Sequence, residues 1–182
     1  MAFHDVMERS ARGELIILDG AIGTEIRRRG GDTGRSDLAV IHMLESPGLI
    51  REIHADYINA GADVITANTY DCNRHALILD RLDGDSAQYL TRMAVELAID
   101  ARNSSGVEGV LVAGSLGPLA SDYDPNDVPP FETCLSDYRE QVQVMVEAGV
   151  DFVLAETAAQ ERSARAGVVA ARARGPVAEI RV

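Results

Sequence analysis

An α/β fold built on parallel strands is what this sequence predicts, and three observations carry the prediction. Short, unbroken apolar runs alternate with longer segments of helical period. One motif occurs twice, as Ala60-Gly61-Ala62-Asp63-Val64-Ile65 and Ala148-Gly149-Val150-Asp151-Phe152-Val153, each reading as a helix end, a tight turn and a strand start. The apolar runs also lack the alternation of a half-exposed strand, which suggests strands covered on both faces.

Taken in order, Leu15-Ile16-Ile17-Leu18 is the first predicted buried strand, Val64-Ile65-Thr66-Ala67 the second, Val110-Leu111-Val112-Ala113 the third and Phe152-Val153-Leu154-Ala155 the fourth. Pro176 to Val182 reads as a fifth, less regular because of Glu179 and Arg181. Helices are predicted between them. Ser46 is placed to cap and Pro47 to open a helix whose apolar face is Leu49, Ile50, Ile53, Tyr57 and Ile58, with Gly61 as its stop. Residues 86–103 repeat the pattern with Leu90, Met93, Ala94, Leu97 and Ala101, and residues 132–148 with Leu135, Tyr138, Val142, Met145 and Val146, ending at Gly149. Thr157 and Gln160 have the spacing of a capping box for a helix over 158–173. Ser115 to Pro130 is the one long irregular stretch, of a length usually associated with a lid or with disorder.

With 182 residues and 46% hydrophobic content, the chain suits one domain with a sizeable core. Aromatic residues are only 4% and tryptophan is absent, so Ala, Val, Leu and Ile must fill that core. A net charge of −12 repels phosphate backbones and anionic lipid, which argues against nucleic acid or a membrane surface as partner. Arg27-Arg28-Arg29 is the only basic run and reads as one solvated helix face. Two cysteines so far apart, Cys72 and Cys134, do not make a disulfide scaffold. No segment resembles a signal peptide or approaches the roughly 20 apolar residues of a membrane span, so a cytoplasmic protein is expected.

Ligands of parallel α/β folds bind at the carboxyl ends of the strands, so the residues that close each apolar run are the informative ones. These are Asp19-Gly20, Asn68-Thr69, Gly114-Ser115 with Gly117-Pro118, and Glu156-Thr157. Two carboxylates, an amide and three hydroxyls at a common rim over an apolar floor have the chemistry of a small-ligand pocket. The glycine pairs also suit ordinary turns, and Asn68-Thr69 also suits local backbone bonding. Glu156 is the most pointed of the set: a carboxylate at the end of a buried run needs a cation or several donors, which a ligand ammonium or an internal arginine supplies. Cys72-Asn73-Arg74-His75 offers two metal-type ligands where zinc takes three or four, so no metal site is assigned. Ser115 has no triad pattern around it, and the glycines match neither a P-loop nor a dinucleotide fingerprint.

Four of these motifs together resemble the homocysteine S-methyltransferase family, which includes betaine- and S-methylmethionine-dependent enzymes and the homocysteine module of cobalamin-dependent methionine synthase. Leu18 to Glu25 resembles its opening strand and loop, Ala62 to Tyr70 its second strand, Ala113 to Leu119 its third and Asp151 to Thr157 its fourth. Asp37 to Pro47 is similar to the family's lead-in to the first helix. The resemblance implies a partial TIM-type (β/α)8 barrel with about five parallel βα units, residues 1–182 forming the N-terminal part of a homocysteine-binding domain. It implies substrate binding by Asp19, Gly20, Asn68, Thr69, Glu156 and Thr157, with Glu156 on the substrate ammonium. The implied reaction moves a methyl group from a sulfonium or similar donor to the homocysteine thiol, giving methionine. Zinc is expected for the family, because coordination turns the thiol into a thiolate. The family's zinc-binding cysteines follow later strands, and Cys72 and Cys134 do not match them, so the ligands are expected to be missing from this chain and the chain alone to be inactive. Open first and fifth strands predict self-association. Two other expectations stand beside this one: a non-catalytic fragment that binds an amino acid or a partner, and an open α/β sheet whose strand order has a switch point.

Overall fold

The computed structural model describes residues 3–31, 38–79, 82–119, 126–158, 160–174 and 177–179. Helices α1 (Phe3–Ala11), α2 (Ile22–Arg28), α3 (Leu38–Glu45) and α4 (Pro47–Asn59) precede strand β1 (Val64–Ala67). Then come α5 (Arg74–Leu79), α6 (Ala87–Ser105), β2 (Leu111–Leu116), α7 (Phe131–Ala148), β3 (Phe152–Ala155), α8 (Glu161–Arg172) and β4 (Val177–Glu179). All strand pairs are parallel, in the order β1-β2-β3-β4. Sequential neighbours with a helix between each pair form an arc of a TIM-type barrel, and this order leaves no switch point of the kind an open doubly wound sheet would have.

Alternation along each strand separates two apolar layers. Outward-facing Ile65, Ala67, Val112, Leu116 and Val153 join Val95 and Ala98 of α6, Val142 and Met145 of α7, and Ala166 and Ala170 of α8 in the main core. Inward-facing Val64, Leu111, Ala113, Phe152 and Leu154 form a second cluster. Helix α1 covers that cluster with Val6 and Phe3, the Phe3 ring lying 4.7 Å from that of Phe152. Apolar packing thus fills the barrel interior at the amino-terminal ends of the strands.

The duplicated motif proves to be a register clamp. Gly61 and Gly149 take φ of 100° and 101°, a left-handed turn that favours glycine. The aspartate two residues later then reaches back to the preceding strand segment. Asp63 Oδ2 accepts from Ile17 N at 2.9 Å and Asp63 N donates to Ile17 O at 2.8 Å. Asp151 Oδ2 accepts from Val112 N at 2.7 Å and Asp151 N donates to Val112 O at 2.8 Å. Each aspartate also holds an arginine of an earlier helix, Arg9 at 2.8 Å and Arg102 at 2.9 Å.

Several expectations need correction. Leu15–Leu18 is not a buried strand: its one bridge is Leu18 to Val64, and Leu15, Ile17 and Leu18 are 82%, 48% and 41% exposed. It runs along the outer edge of β1, and only Ile16 packs inward. Strand β2 continues through Gly114 and Ser115 to Leu116, so these residues are strand and not turn. The capping box at Thr157 is absent, because Thr157 has φ 57° and α8 begins at Glu161 without a side-chain cap. Ser46 holds the N-cap position of α4 but makes no capping hydrogen bond; Pro47 does open the helix. Arg27, Arg28 and Arg29 do not share one solvated face: Arg28 pairs with Glu25, and Arg29, with a side chain only 19% exposed, pairs with Glu25 and Asp56. In the Ser115–Pro130 stretch, Leu119 and Val128 are buried in the core, while residues 120–125 lie outside the described ones, as do Asp37, Pro176 and residues 180–182. No helix among the described residues is long and apolar enough to cross a membrane.

Candidate functional site

Each inward-facing row ends in a polar side chain. After Val64 comes Thr66, after Leu111 and Ala113 comes Ser115, and after Phe152 and Leu154 comes Glu156. With Asp19 at the end of the edge segment, these groups line a cavity of about 440 Å³ at the carboxyl ends of the strands, a volume ordinary for small-molecule sites. Leu18, Ile22 and Leu154 give it apolar walls, and Asn68, Tyr70, Asp71 and Arg27 complete its polar lining.

Asp19 is held at both oxygens. Thr66 N donates to Oδ2 and Thr66 Oγ1 to Oδ1, each at 2.8 Å. Its own N–H donates to Val64 O at 3.0 Å, which fixes the backbone beneath. Burial pushes the Asp19 carboxyl up to about 6; the two Thr66 bonds oppose the shift and the nearby charge of Glu156 adds to it. Glu156 accepts from Ser115 Oγ at 2.6 Å, while its N–H donates to Leu116 O at 3.2 Å. Two carboxylates close enough to feel one another in a part-buried cavity form a locus for a cation that carries hydrogen-bond donors.

The structure gathers Asp19, Gly20, Asn68, Ser115 and Glu156 at one cavity. Gly20 lies under Tyr57, where a Cβ would come 2.7 Å from the phenol oxygen. Asn68 uses its Nδ2 to hold Ala39 O of α3 at 3.0 Å. Thr69 and Thr157 lie elsewhere. Thr69 is buried, its hydroxyl donating to Ser115 O at 2.7 Å and its carbonyl accepting from Gln141 at 2.7 Å, so it ties the β1 loop to β2 and α7. Thr157 lines a neighbouring cavity of about 690 Å³ along α8, which Glu156 also borders. Sequence reasoning missed Thr66, Tyr70 and Arg27. The alternation of Val64-Ile65-Thr66-Ala67 could have marked Thr66, since a lone hydroxyl on an inward row is a signal of its own.

Cys72 and His75 do not converge. The Cys72 sulfhydryl is buried and donates to Asn68 O at 3.3 Å, and burial pushes its pKa up, so it remains a thiol. His75 turns to Asp137, 2.8 Å away. Cys134 donates to Pro129 O at 3.4 Å. Among the described residues no three His, Cys, Asp or Glu side chains come together in a way that could hold a metal ion. The described residues therefore do not fit the family's zinc.

Fold and site define a class: a β/α-barrel protein with a carboxylate-lined cavity at the carboxyl ends of its strands. Comparison with known proteins narrows it. Residues 16–181 match the family described as homocysteine S-methyltransferase, and the chain belongs to that family. A homocysteine S-methyltransferase of Escherichia coli is 32% identical over 155 residues, covering 79% of this chain and 50% of the relative. A selenocysteine Se-methyltransferase of Brassica oleracea is 29% identical over 175 residues, covering 85% and 51%. The crystal structure of the E. coli homocysteine methyltransferase MmuM in its metallated form superposes with a TM-score of 0.78 at 29% identity, covering 93% of this chain and 64% of that one. The chain spans about half the length of the curated relatives it matches.

Proposed function

We propose that this chain forms the amino-acid-binding part of a protein that transfers a methyl group from a sulfonium-type donor to the thiol of homocysteine, giving methionine, and that acts on the free amino acid in the cytoplasm. The observation that carries the reading is the Asp19–Glu156 pair at the rim of an apolar-walled cavity. An α-ammonium between these carboxylates supplies the cation that neither has among the described residues, while Leu18, Ile22 and Leu154 meet the methylenes. Thr66 and Ser115 hold the two carboxylates in place. Gly20 and Asn68 shape the rim, Thr69 fixes the loop behind it, and Thr157 sets the backbone on which Glu156 stands. A homocysteine thiol with pKa near 8.5 is mostly protonated at neutral pH, and among the described residues no three His, Cys, Asp or Glu side chains are placed to hold a metal ion that would deprotonate it. On this reading the chain alone binds the amino acid and does not by itself transfer the methyl group.

The exposed apolar side chains of Leu15 and Ile17, two residues apart on one face of the edge segment, favour a second role, association with another polypeptide or a second copy along this edge. The test of the main reading is calorimetric titration with L-homocysteine, paired with a methyl-transfer assay using S-methylmethionine and added zinc. Binding that an Asp19→Asn change removes, without turnover, is expected. Absence of any homocysteine binding refutes it.

A further inference from the structure

Helix α8 packs against α7, β3 and β4 and buries Ala166, Ala170 and Ala171 in the main core. A cavity of about 690 Å³ runs along its other flank, lined by Glu161, Ala164, Arg165, Val168, Val169 and Arg172. These positions follow one another at three- and four-residue spacing, so they form one stripe down the helix. The middle of the stripe is small or aliphatic: Val168 belongs to the floor at 8% exposure, while Val169 stands 39% exposed. An acid opens the stripe and a base closes it. Glu161 and Arg172 are both exposed, lie about three turns or about 16 Å apart along the axis, and have no ion-pair partner among the described residues.

We propose that this flank is a self-association surface, on which α8 of a second copy docks antiparallel to give a two-fold dimer. The charge order selects both the occupant and its direction. With the two-fold axis beside the Ala166–Gly167 peptide, Glu161 faces Arg172 of the second copy, Ala164 faces Val169, and Arg165 faces Val168. Each contact occurs twice, as an isologous interface requires: acid meets base at both ends, alanine meets valine between them, and the arginine stems cover Val168. A parallel pair would instead set Glu161 against Glu161 and Arg172 against Arg172. Each copy carries a net charge of −12, so copies repel at long range, and one helix face is small beside the roughly 1,200–2,000 Å² of a stable interface. Association is therefore expected to be weak, with a dissociation constant of about 0.1 mM. The surface is independent of the strand edge at Leu15 and Ile17, since α8 joins β3 to β4 and that edge lies beside β1 at the other end of the arc.

The experiment is analytical ultracentrifugation of the purified chain from about 10 μM to 1 mM at physiological salt, with thermal melts of every variant to confirm folding. Wild type is expected to pass from monomer to dimer across this range. Glu161→Arg and Arg172→Glu each turn two attractive pairs into two repulsive ones and should weaken association about tenfold or more. The double variant Glu161→Arg/Arg172→Glu restores acid opposite base and should return to within about threefold of wild type. An equimolar mixture of the two single variants should form a heterodimer that neither forms with itself, because all four facing charges are then opposite in sign. Ile17→Asp, at the far edge of the arc, should leave association unchanged. A wild type that stays monomeric throughout, single variants that associate as wild type does, a folded double variant and a mixture that both stay monomeric, or a dimer lost in Ile17→Asp would each overturn the proposal.

Discussion

Replacing Asp19 by Asn is expected to stabilise the chain at neutral pH while weakening its grip on an amino-acid ammonium. Folding moves the Asp19 carboxyl from 3.8 to about 6, a shift of about two units, or about 3 kcal/mol at most. The group is only half-buried, so solvent screening reduces this to about 1–2 kcal/mol. The sign follows from linkage. A carboxyl raised in the folded state leaves stability intact below its unfolded pKa, and that stability is lost as pH rises through about 6. Asn keeps the local bonding: its Oδ1 accepts from one Thr66 donor, and the Thr66 hydroxyl turns to accept from Nδ2. Urea unfolding at half-unit steps from pH 4 to 8 checks the claim. The variant should gain on wild type between pH 4 and 7 and then run parallel to it, while its affinity for L-homocysteine falls about tenfold or more. For the wild type, affinity should be full above pH 6 and fall below it, as protons compete with the ammonium for Asp19. A variant less stable than wild type at every pH, with an unchanged profile, would show that Asp19 is a structural acceptor and not a carboxylate held ready for a ligand.

Three further outcomes are expected. Ser115→Ala removes the 2.6 Å bond to Glu156; it should cost about 1–2 kcal/mol and weaken homocysteine several-fold by freeing the carboxylate, as read by denaturation and titration together. Gly117→Ala places a Cβ 2.8 Å from the Tyr70 ring and should force that ring out of the cavity wall, at about 1–3 kcal/mol, measured as a lower Tm. His54 is fully buried with neither ring nitrogen partnered, and burial holds its pKa down at about 4. Its stability is whole above the unfolded value near 6.5 and lost as pH falls through about 4, opposite in sign to Asp19. His54→Leu should therefore leave a protein that resists unfolding at pH 4.5 better than wild type, by about 1–3 kcal/mol.

How far the fold was legible follows from what an apolar run can and cannot encode. The runs at Val64, Leu111 and Phe152 announce strands because both faces are covered, by α1 on the inside and by α6, α7 and α8 on the outside. Leu15–Leu18 carries the same signal, yet it lies at the sheet's edge with three of its four side chains exposed. Composition marks a segment as able to be buried; which neighbour buries it is a property of the whole sheet. The carboxyl-end rule found Asp19, Asn68 and Glu156 because a residue that closes a run must sit at the rim. It missed Thr66, which sits inside a run, and it could not tell that the Thr69 hydroxyl bonds across to Ser115 O of β2 or that Thr157 borders the neighbouring cavity along α8.

The duplicated motif shows where local sequence and tertiary contact coincide. In both copies a glycine with φ near 100° reverses the chain, and the aspartate two residues on binds a backbone N–H of the preceding strand segment together with an arginine from an earlier helix. Neither arginine belongs to the motif: Arg9 is 54 residues from Asp63, and Arg102 is 49 from Asp151. The repeat was visible as a turn, but its acidic position has meaning only once a parallel neighbour supplies an unpaired donor and a helix supplies a cation. Register set at the amino-terminal ends of the strands then fixes the inward rows, and those rows end in Thr66, Ser115 and Glu156 at the opposite end. The candidate site is in this sense a consequence of the clamps: a one-residue slip in β2 would turn Ser115 into the helical layer and leave Glu156 without its hydroxyl partner.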